Sequence, residues 1–199
     1  MDAWEGCAEQ DVAVKERVRV GGRSARIQEA VHDAVRRLSA ETRRDELTVP
    51  QIAEAAGVTP STIYRRWGDL SALLADVAVE RLRPLADPED TGAMESDLRA
   101  FIEQYVEEMS SPVGQALMRD VLSPSVQTYP GQCANFTRQY LTTIASRAKA
   151  RGETPFDIAE VLDHVVAPIV FHMLFDDHKL TLEYCHSLLD RLQSLKPGR

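Results

Sequence analysis

Three cysteines, Cys7, Cys133 and Cys185, lie far apart in the 199 residues, and no CxxC pair joins any of them. That fits a reducing compartment better than a disulfide framework. Signals for β-strands are almost absent. The one weakly alternating run, VAVKERVRV (Val12–Val20), precedes Gly21-Gly22 and has no second run to pair with, so it reads as an N-terminal arm. Long apolar runs are missing too. The longest, VVAPIVF (Val165–Phe171), is too short to span a bilayer, and Met1–Gln10 is acidic with no apolar core of a signal peptide. The expectation is a soluble cytoplasmic protein with no membrane partner. Ser-His-Asp order, phosphate-binding glycine loops and metal-ligand spacings are likewise absent, which speaks against an enzyme. No cofactor and no metal is expected. His164 and His172 stand eight apart with Asp176 beyond, a spacing that lacks the HxxxH or Cys/His company of a metal site.

An excess of base is also missing overall, since the net charge is −8. Its distribution is uneven. Residues 15–66 carry eleven bases and seven acids, while residues 67–199 carry twelve bases and twenty acids. The chain therefore joins a basic N-terminal module to an acidic body, the pattern of a module that meets a polyanion. Chance clustering on a solvated helical surface produces the same count, so charge alone leaves both readings open.

What is present is helical periodicity. Ser24 is placed as the N-cap of a helix to about Ala40, with Ile27, Val31, Val35 and Leu38 on one face. Val49–Ala56 is a short helix ended by Gly57. Thr59 caps a third helix with Pro60 in its first turn, and Asp69 caps a fourth that closes before Pro84. After the acidic linker Ala86–Gly92 come helices near Ala93–Met109 and Pro112–Leu122. A proline-bearing loop (Ser123–Gly131) follows, then a long helix to Ala150. The last two helices run from Thr154-Pro155 to about Phe175 and over Leu180–Leu195. The expected fold is all-α, about nine helices. Three units follow: a flexible arm over 1–22, a helix-turn-helix bundle over 23–84, and a larger helical domain over 85–199.

Within the basic module, QIAEAAGVTPSTIYRRW (Gln51–Trp67) places two short helices around a glycine suited to a left-handed turn. Ala53 permits a close crossing, and Ile52, Ala56, Val58, Ile63 and Trp67 face inward. Pro60, Ser61, Thr62, Tyr64, Arg65 and Arg66 then point outward, and these are groups that reach phosphates and base edges. A structural hairpin with an exposed basic face is the plainer alternative. The run Thr48-Val49-x-x-Ile52-Ala53-x-x-Ala56-Gly57-Val58-Thr59-x-x-Thr62-Ile63-Tyr64-x-x-Trp67-x-Asp69-x-x-x-Leu73-Leu74 resembles the DNA-binding domain of the TetR family of bacterial transcription regulators, over roughly Ala25–Val79. Beyond Pro84 the resemblance is one of layout.

The resemblance implies a repressor that binds a pseudo-palindromic DNA operator as a homodimer and is released by a small apolar or amphipathic effector. A regulator whose C-terminal domain answers to a protein partner is the alternative. Carried over by position, Pro60–Arg66 becomes the recognition helix. Thr48, Thr59, Pro60, Ser61, Thr62 and Tyr64 join Arg26 as DNA contacts, with Arg65 as base reader and Arg66 as phosphate clamp. Lys15, Arg17, Arg19 and Arg23 add backbone or minor-groove contacts. Where the family usually has a lysine at the start of the fourth helix, this chain has Leu70. An effector pocket is expected among Tyr105, Met109, Leu117, Met118, Phe136, Tyr140, Phe171 and His172, residues that at helical spacing serve equally as plain core. The dimer interface is expected on the last two helices through Ile158, Val161, Leu162, Val165, Ile169, Leu188, Leu189 and Leu192, an apolar face that an intramolecular core would also cover.

Overall fold

The structure, a computed structural model, describes residues 22–123, 128–176 and 180–194. Lys15, Arg17 and Arg19 of the expected arm, and Cys7, lie outside them. The described residues are all helical, with no strand among them. In chain order the helices are α1 Arg23–Glu41, α2 Val49–Ala55, α3 Pro60–Trp67, α4 Leu70–Leu82, α5 Met94–Ser110, α6 Pro112–Leu122, α7 Thr128–Ala150, α8 Ile158–Phe175 and α9 Leu182–Ser194. A 3-10 turn, Arg44–Glu46, joins α1 to α2.

Local chemistry sets most of the boundaries. Thr48 and Gln51 form a reciprocal capping box at the start of α2, with Pro50 in its first turn. The Asp69 carboxylate accepts the Ala72 N–H at 2.8 Å and opens α4. Gly57, at φ +66°, makes the turn between α2 and α3. Three boundaries differ from the sequence reading. Gly22, not Ser24, stands at the N-cap of α1. Residues 128–131 of the expected loop belong to α7, because Pro130 sits in a first turn that needs no N–H from it. The helix expected from Thr154-Pro155 begins at Ile158, where Asp157 Oδ1 accepts the Ala159 N–H at 2.7 Å.

Proline also shapes the interior of α8. Pro168 cannot donate to the carbonyl four residues back, and its ring would press on it. The helix widens into a π turn over Leu162–Val166, with the Ala167 N–H reaching back to Leu162 O. Read as a whole helix, Ile158–Phe175 is long and apolar enough to cross a bilayer, although its longest unbroken apolar run is short. Its Val161, Val165 and Ile169 side is fully buried in the protein, which makes it a core helix on that side.

Two large apolar clusters and a small one hold the chain together. The first joins α1–α4 around Val31, Ile52, Ile63, Trp67 and Leu73. The second joins α5 and α7–α9 around Phe101, Ile102, Leu141, Ile144, Val165 and Leu189. The third, Ala78, Val79 and Val121, lies where the end of α4 meets α6. Arg44 and Asp120 add an ion pair between the α1–α2 connection and α6. Between α5 and α6 the turn is tight. A Cβ on Gly114 would stand 2.1 Å from Glu108 O.

The linker after α4 is tied down by one buried carboxylate. Asp97 accepts the Thr91 N–H and hydroxyl, both at 2.7 Å, and the Arg151 guanidinium at 2.8 Å. Arg151 also reaches Asp90 and Glu153, and Arg147 donates to Pro88 O at 2.6 Å. Burial alone would raise the Asp97 carboxyl pKa, but the bonds from Thr91 and Arg151 outweigh it and hold it below the usual range. A group with a depressed folded pKa stabilises above its unfolded value, near pH 4, and loses that stabilisation as the pH falls further. Asp97→Asn should therefore cost about 2 kcal/mol at pH 7. In urea titrations its deficit against the wild type should shrink between pH 4 and pH 2.5. A deficit that stays constant over that range would show that the carboxylate charge contributes nothing.

Candidate functional site

The expected recognition element, α3, packs against α2 and α4 and is tied to α1 through Arg66. Ile63 is fully buried and Trp67 nearly so, one turn apart on the inner side of α3. Thr59, Pro60, Ser61, Tyr64, Arg65 and Arg66 are exposed, and Thr62 is half-buried. Arg23, Arg26 and Thr48 are exposed on the neighbouring helix starts. Thr59 sits at the N-cap position but does not cap. Its hydroxyl bonds instead to Ser61 Oγ at 2.9 Å and Thr62 Oγ1 at 3.0 Å, forming a hydroxyl cluster over the first turn. Arg65 pairs with no described residue, so its guanidinium is available to another molecule.

Arg66 corrects the sequence reading. It does not point away toward an outside backbone. Its Nη1 donates to Ser24 O and Oγ at 3.0 and 2.8 Å, its Nη2 donates to Gln28 Oε1 at 2.5 Å, and its plane lies 5.2 Å from the Trp67 ring. A planar fork bonded to Ser24 and Gln28 ties α3 to α1. Leu70, in the place of the usual lysine, packs half-buried against the first core and offers no charge.

Behind α3 lies a polar cluster that sequence reasoning missed. Asp76 Oδ2 accepts the Trp67 indole N–H at 2.8 Å and stands 2.9 Å from His32 Nε2. Gln28, itself bonded to Arg66, donates to the same oxygen at 3.3 Å. Burial would raise the Asp76 carboxyl pKa, yet the bonds from His32 and Trp67 and the charges of His32 and Arg66 hold it below the ordinary value. The tryptophan of the Tyr-x-x-Trp step was one available signal, because a buried indole needs an acceptor.

The C-terminal domain contains a cavity of about 290 Å³ among α4–α8. Of the expected pocket residues, Tyr105, Met109, Met118, Phe136 and Tyr140 line it. Three do not. Leu117 packs in the small interdomain cluster, Phe171 is exposed, and His172 pairs with Asp176 at 2.8 Å beside a different cavity. Cys133, Thr137, Val166 and Leu82 line the pocket without having been anticipated. The other cavity, about 500 Å³, is walled by acids and His172 and adjoins residues flanking 177–179.

The dimer assignment is also revised. Val161, Val165, Ile169, Leu188, Leu189 and Leu192 are buried within their own chain, while Ile158 and Leu162 pack half-buried against the same core. Periodicity had found the apolar stripe but not what covers it. The apolar groups these helices leave uncovered are Phe171, Phe175 and Leu182, which are 57%, 75% and 46% exposed.

Residues 33–77 match the family model for bacterial regulatory proteins of the tetR family, and residues 88–192 match the model for the tetracyclin repressor-like C-terminal domain. The chain belongs to the TetR family of bacterial transcription regulators. This is a family of regulators and not of enzymes. The chain is 33% identical over 135 residues to the HTH-type transcriptional regulator AqdR of Rhodococcus erythropolis, a match covering 66% of this chain and 65% of that protein's length. An uncharacterized HTH-type regulator of Mycobacterium tuberculosis is 25% identical over 160 residues, covering 77% of this chain and 79% of that one. Among solved structures, the TetR-family repressor FadR of Thermus thermophilus, in complex with lauroyl-CoA, superposes with a TM-score of 0.60 at 16% identity, covering 86% of this chain and 96% of FadR. The flavonoid-responsive regulator FrrA does so with a TM-score of 0.53 at 21% identity, covering 85% of this chain and 96% of that one. These likenesses establish the fold.

Replacing Asp76 by alanine leaves the Trp67 N–H without an acceptor in a largely apolar setting. Asp76→Ala should cost about 2 kcal/mol, and Asp76→Asn, which keeps one acceptor oxygen, should cost less. Urea unfolding of both variants checks the order. Equal losses would mean that the hydrogen bonds contribute nothing beyond packing.

Proposed function

We propose that this TetR-family member is a cytoplasmic repressor that binds a pseudo-palindromic DNA operator as a homodimer and is released by a small apolar or amphipathic molecule. One observation carries the DNA half of this reading. α3 buries Ile63 and Trp67 against a fixed three-helix core and turns Ser61, Tyr64 and the unpaired Arg65 outward together. A short rigid helix with hydroxyls, a phenol and a guanidinium on one side suits a major groove. The DNA-binding unit is taken as 23–84, preceded by an arm over 1–22 and followed by the effector and dimerisation domain over 85–199. The 290 Å³ cavity is the proposed effector site. A bound molecule weakens operator binding to the extent that it favours a spacing of the two recognition helices other than one helical turn, ~34–36 Å.

Operator selection from random DNA, followed by affinity profiles over every single-base variant, tests the assignment. Arg65→Ala should relax preference at one position per half-site, a loss of ~1–3 kcal/mol of discrimination. Arg66→Ala should weaken all sequences alike, since it loosens α3 on α1. A profile for Arg65→Ala that differs from the wild type only by a uniform factor would show that Arg65 reads no base. Affinity should also fall steeply with salt, and removing residues 1–20 should flatten that slope if Lys15, Arg17 and Arg19 meet phosphates.

For assembly, the second copy is placed against the exposed Phe171, Phe175 and Leu182 groups of α8 and α9. Phe171→Asp should weaken the dimer in sedimentation while leaving the melting temperature of the fold nearly unchanged. Ile169→Asp should instead unfold the domain, because Ile169 is core. A wild-type monomer at micromolar concentration would overturn the dimer and leave that face to a different protein.

A further inference from the structure

The described walls of the effector cavity are largely apolar, aliphatic and aromatic together. Four rings face it, Phe101, Tyr105, Phe136 and Tyr140, and among the described residues not one arginine, lysine or histidine does. The Phe101 ring lies 6.0 Å from Tyr105 and 5.6 Å from Tyr140, centroid to centroid, so three of the rings form a continuous wall. The uncharged polar side chains among the described lining residues are the Tyr105 and Tyr140 phenols, the Thr137 hydroxyl and the Cys133 thiol. Burial pushes Tyr105 up to about 12 and Cys133 up to about 11, so both keep their protons at neutral pH. Among the described lining residues the one charged side chain is Glu108, which is exposed to solvent.

An organic anion entering this space would give up its water, find no cation and face a carboxylate. Burying a charge without a partner is disfavoured. A cation would lose its water as well, and the one acid able to receive it stays hydrated. An uncharged ring system loses only apolar hydration and gains aromatic contact, with a hydroxyl or phenol to bond one polar group. Resting on the effector-site reading above, we infer that the cavity takes a compact, uncharged, ring-bearing organic molecule with a single hydrogen-bonding group, and rejects organic anions, phosphate-bearing thioesters included.

The test uses matched pairs on the full chain. N-phenyl-1-naphthylamine and 8-anilino-1-naphthalenesulfonate share a skeleton and differ by a sulfonate, and both report binding by fluorescence. 1-Dodecanol, dodecanoate and 1-aminododecane serve as competitors that differ only in the head group. The neutral member of each set should bind at least tenfold more tightly. Two variants that fill the cavity, Met118→Trp and Ala134→Leu, should each weaken N-phenyl-1-naphthylamine at least tenfold with the helical circular dichroism retained. In the wild type, the same molecule should slow alkylation of Cys133 by N-ethylmaleimide, read on the Cys133 peptide, which localises binding even if a variant fails to fold. Anions that bind as well as their neutral partners, or an amine that binds more tightly than the alcohol, would overturn the inferred class while leaving the effector site standing. No binding by any probe, or binding that neither protects Cys133 nor responds to the filled cavity, would overturn the effector site itself.

Discussion

The placement of α3 depends on a single carboxylate. Asp76 lies on α4 and receives the indole of Trp67 from α3 and the imidazole of His32 from α1, with Gln28 as a further donor. Apolar packing of Ile63 and Trp67 fixes how deep α3 sits, but packing alone is tolerant of rotation. Hydrogen bonds are directional, and three helices sharing one acceptor leave little freedom. Arg66 extends the arrangement outward, since it holds Ser24 and Gln28 on α1 while lying over the Trp67 ring. The outward direction of Ser61, Tyr64 and Arg65 follows from how the inward groups are held.

The same α4 that carries Asp76 belongs to more than one packed region. Leu73, Leu74 and Val77 lie in the first core, Ala78 and Val79 in the small cluster with Val121 of α6, and Leu82 in the cavity wall. Tyr129, in the first turn of α7, packs against both the first core and that small cluster, and Pro130 beside it lines the cavity. Helices packed this closely move as units. A molecule that changes the cavity therefore presses on an element whose other end positions α3. The Arg44–Asp120 pair and the buried Asp97–Arg151 bond supply further ties, one across the two domains and one along the linker.

Much of the N-terminal unit was legible because its signals are local. A capping box, a turn glycine, Asp69 at a cap and an apolar period of three to four residues each act within a few positions. What was misread there was Ser24 and Thr59 as caps, and the bonds of Arg66, whose long side chain could satisfy itself on α1 or reach outward, a choice that depends on what another helix offers. The second domain was legible in its helices but not in its assignments. Val161, Val165, Ile169, Leu188 and Leu192 do form an apolar stripe, and their own chain covers it. Five of the eight expected pocket residues do meet at one cavity, while Phe171 and His172 face elsewhere, because α8 is apolar on more than one side and the sequence does not say which side is inward. The start of α7 within an expected loop reflects a proline read as a loop residue where a first turn accommodates it, and the π turn before Pro168 lies in a stretch expected as plain helix, because a widened turn leaves no mark in apolar periodicity.

Charge distribution adds a constraint that geometry does not. Residues 67–199 carry an excess of eight acids over bases, whereas residues 15–66 carry an excess of four bases. Toward a polyanion such as DNA, the stretch 67–199 is repelled and the stretch 15–66, which carries α3, is attracted, which favours encounters through the N-terminal part of the chain. The apolar cavity is lined almost wholly from the acidic stretch, with no cation among its described lining residues. The two ends of the chain thus discriminate by opposite means. In the proposed roles, one presents the Arg65 guanidinium and a hydroxyl cluster to a charged partner in water, and the other offers apolar walls to a molecule that has left water behind.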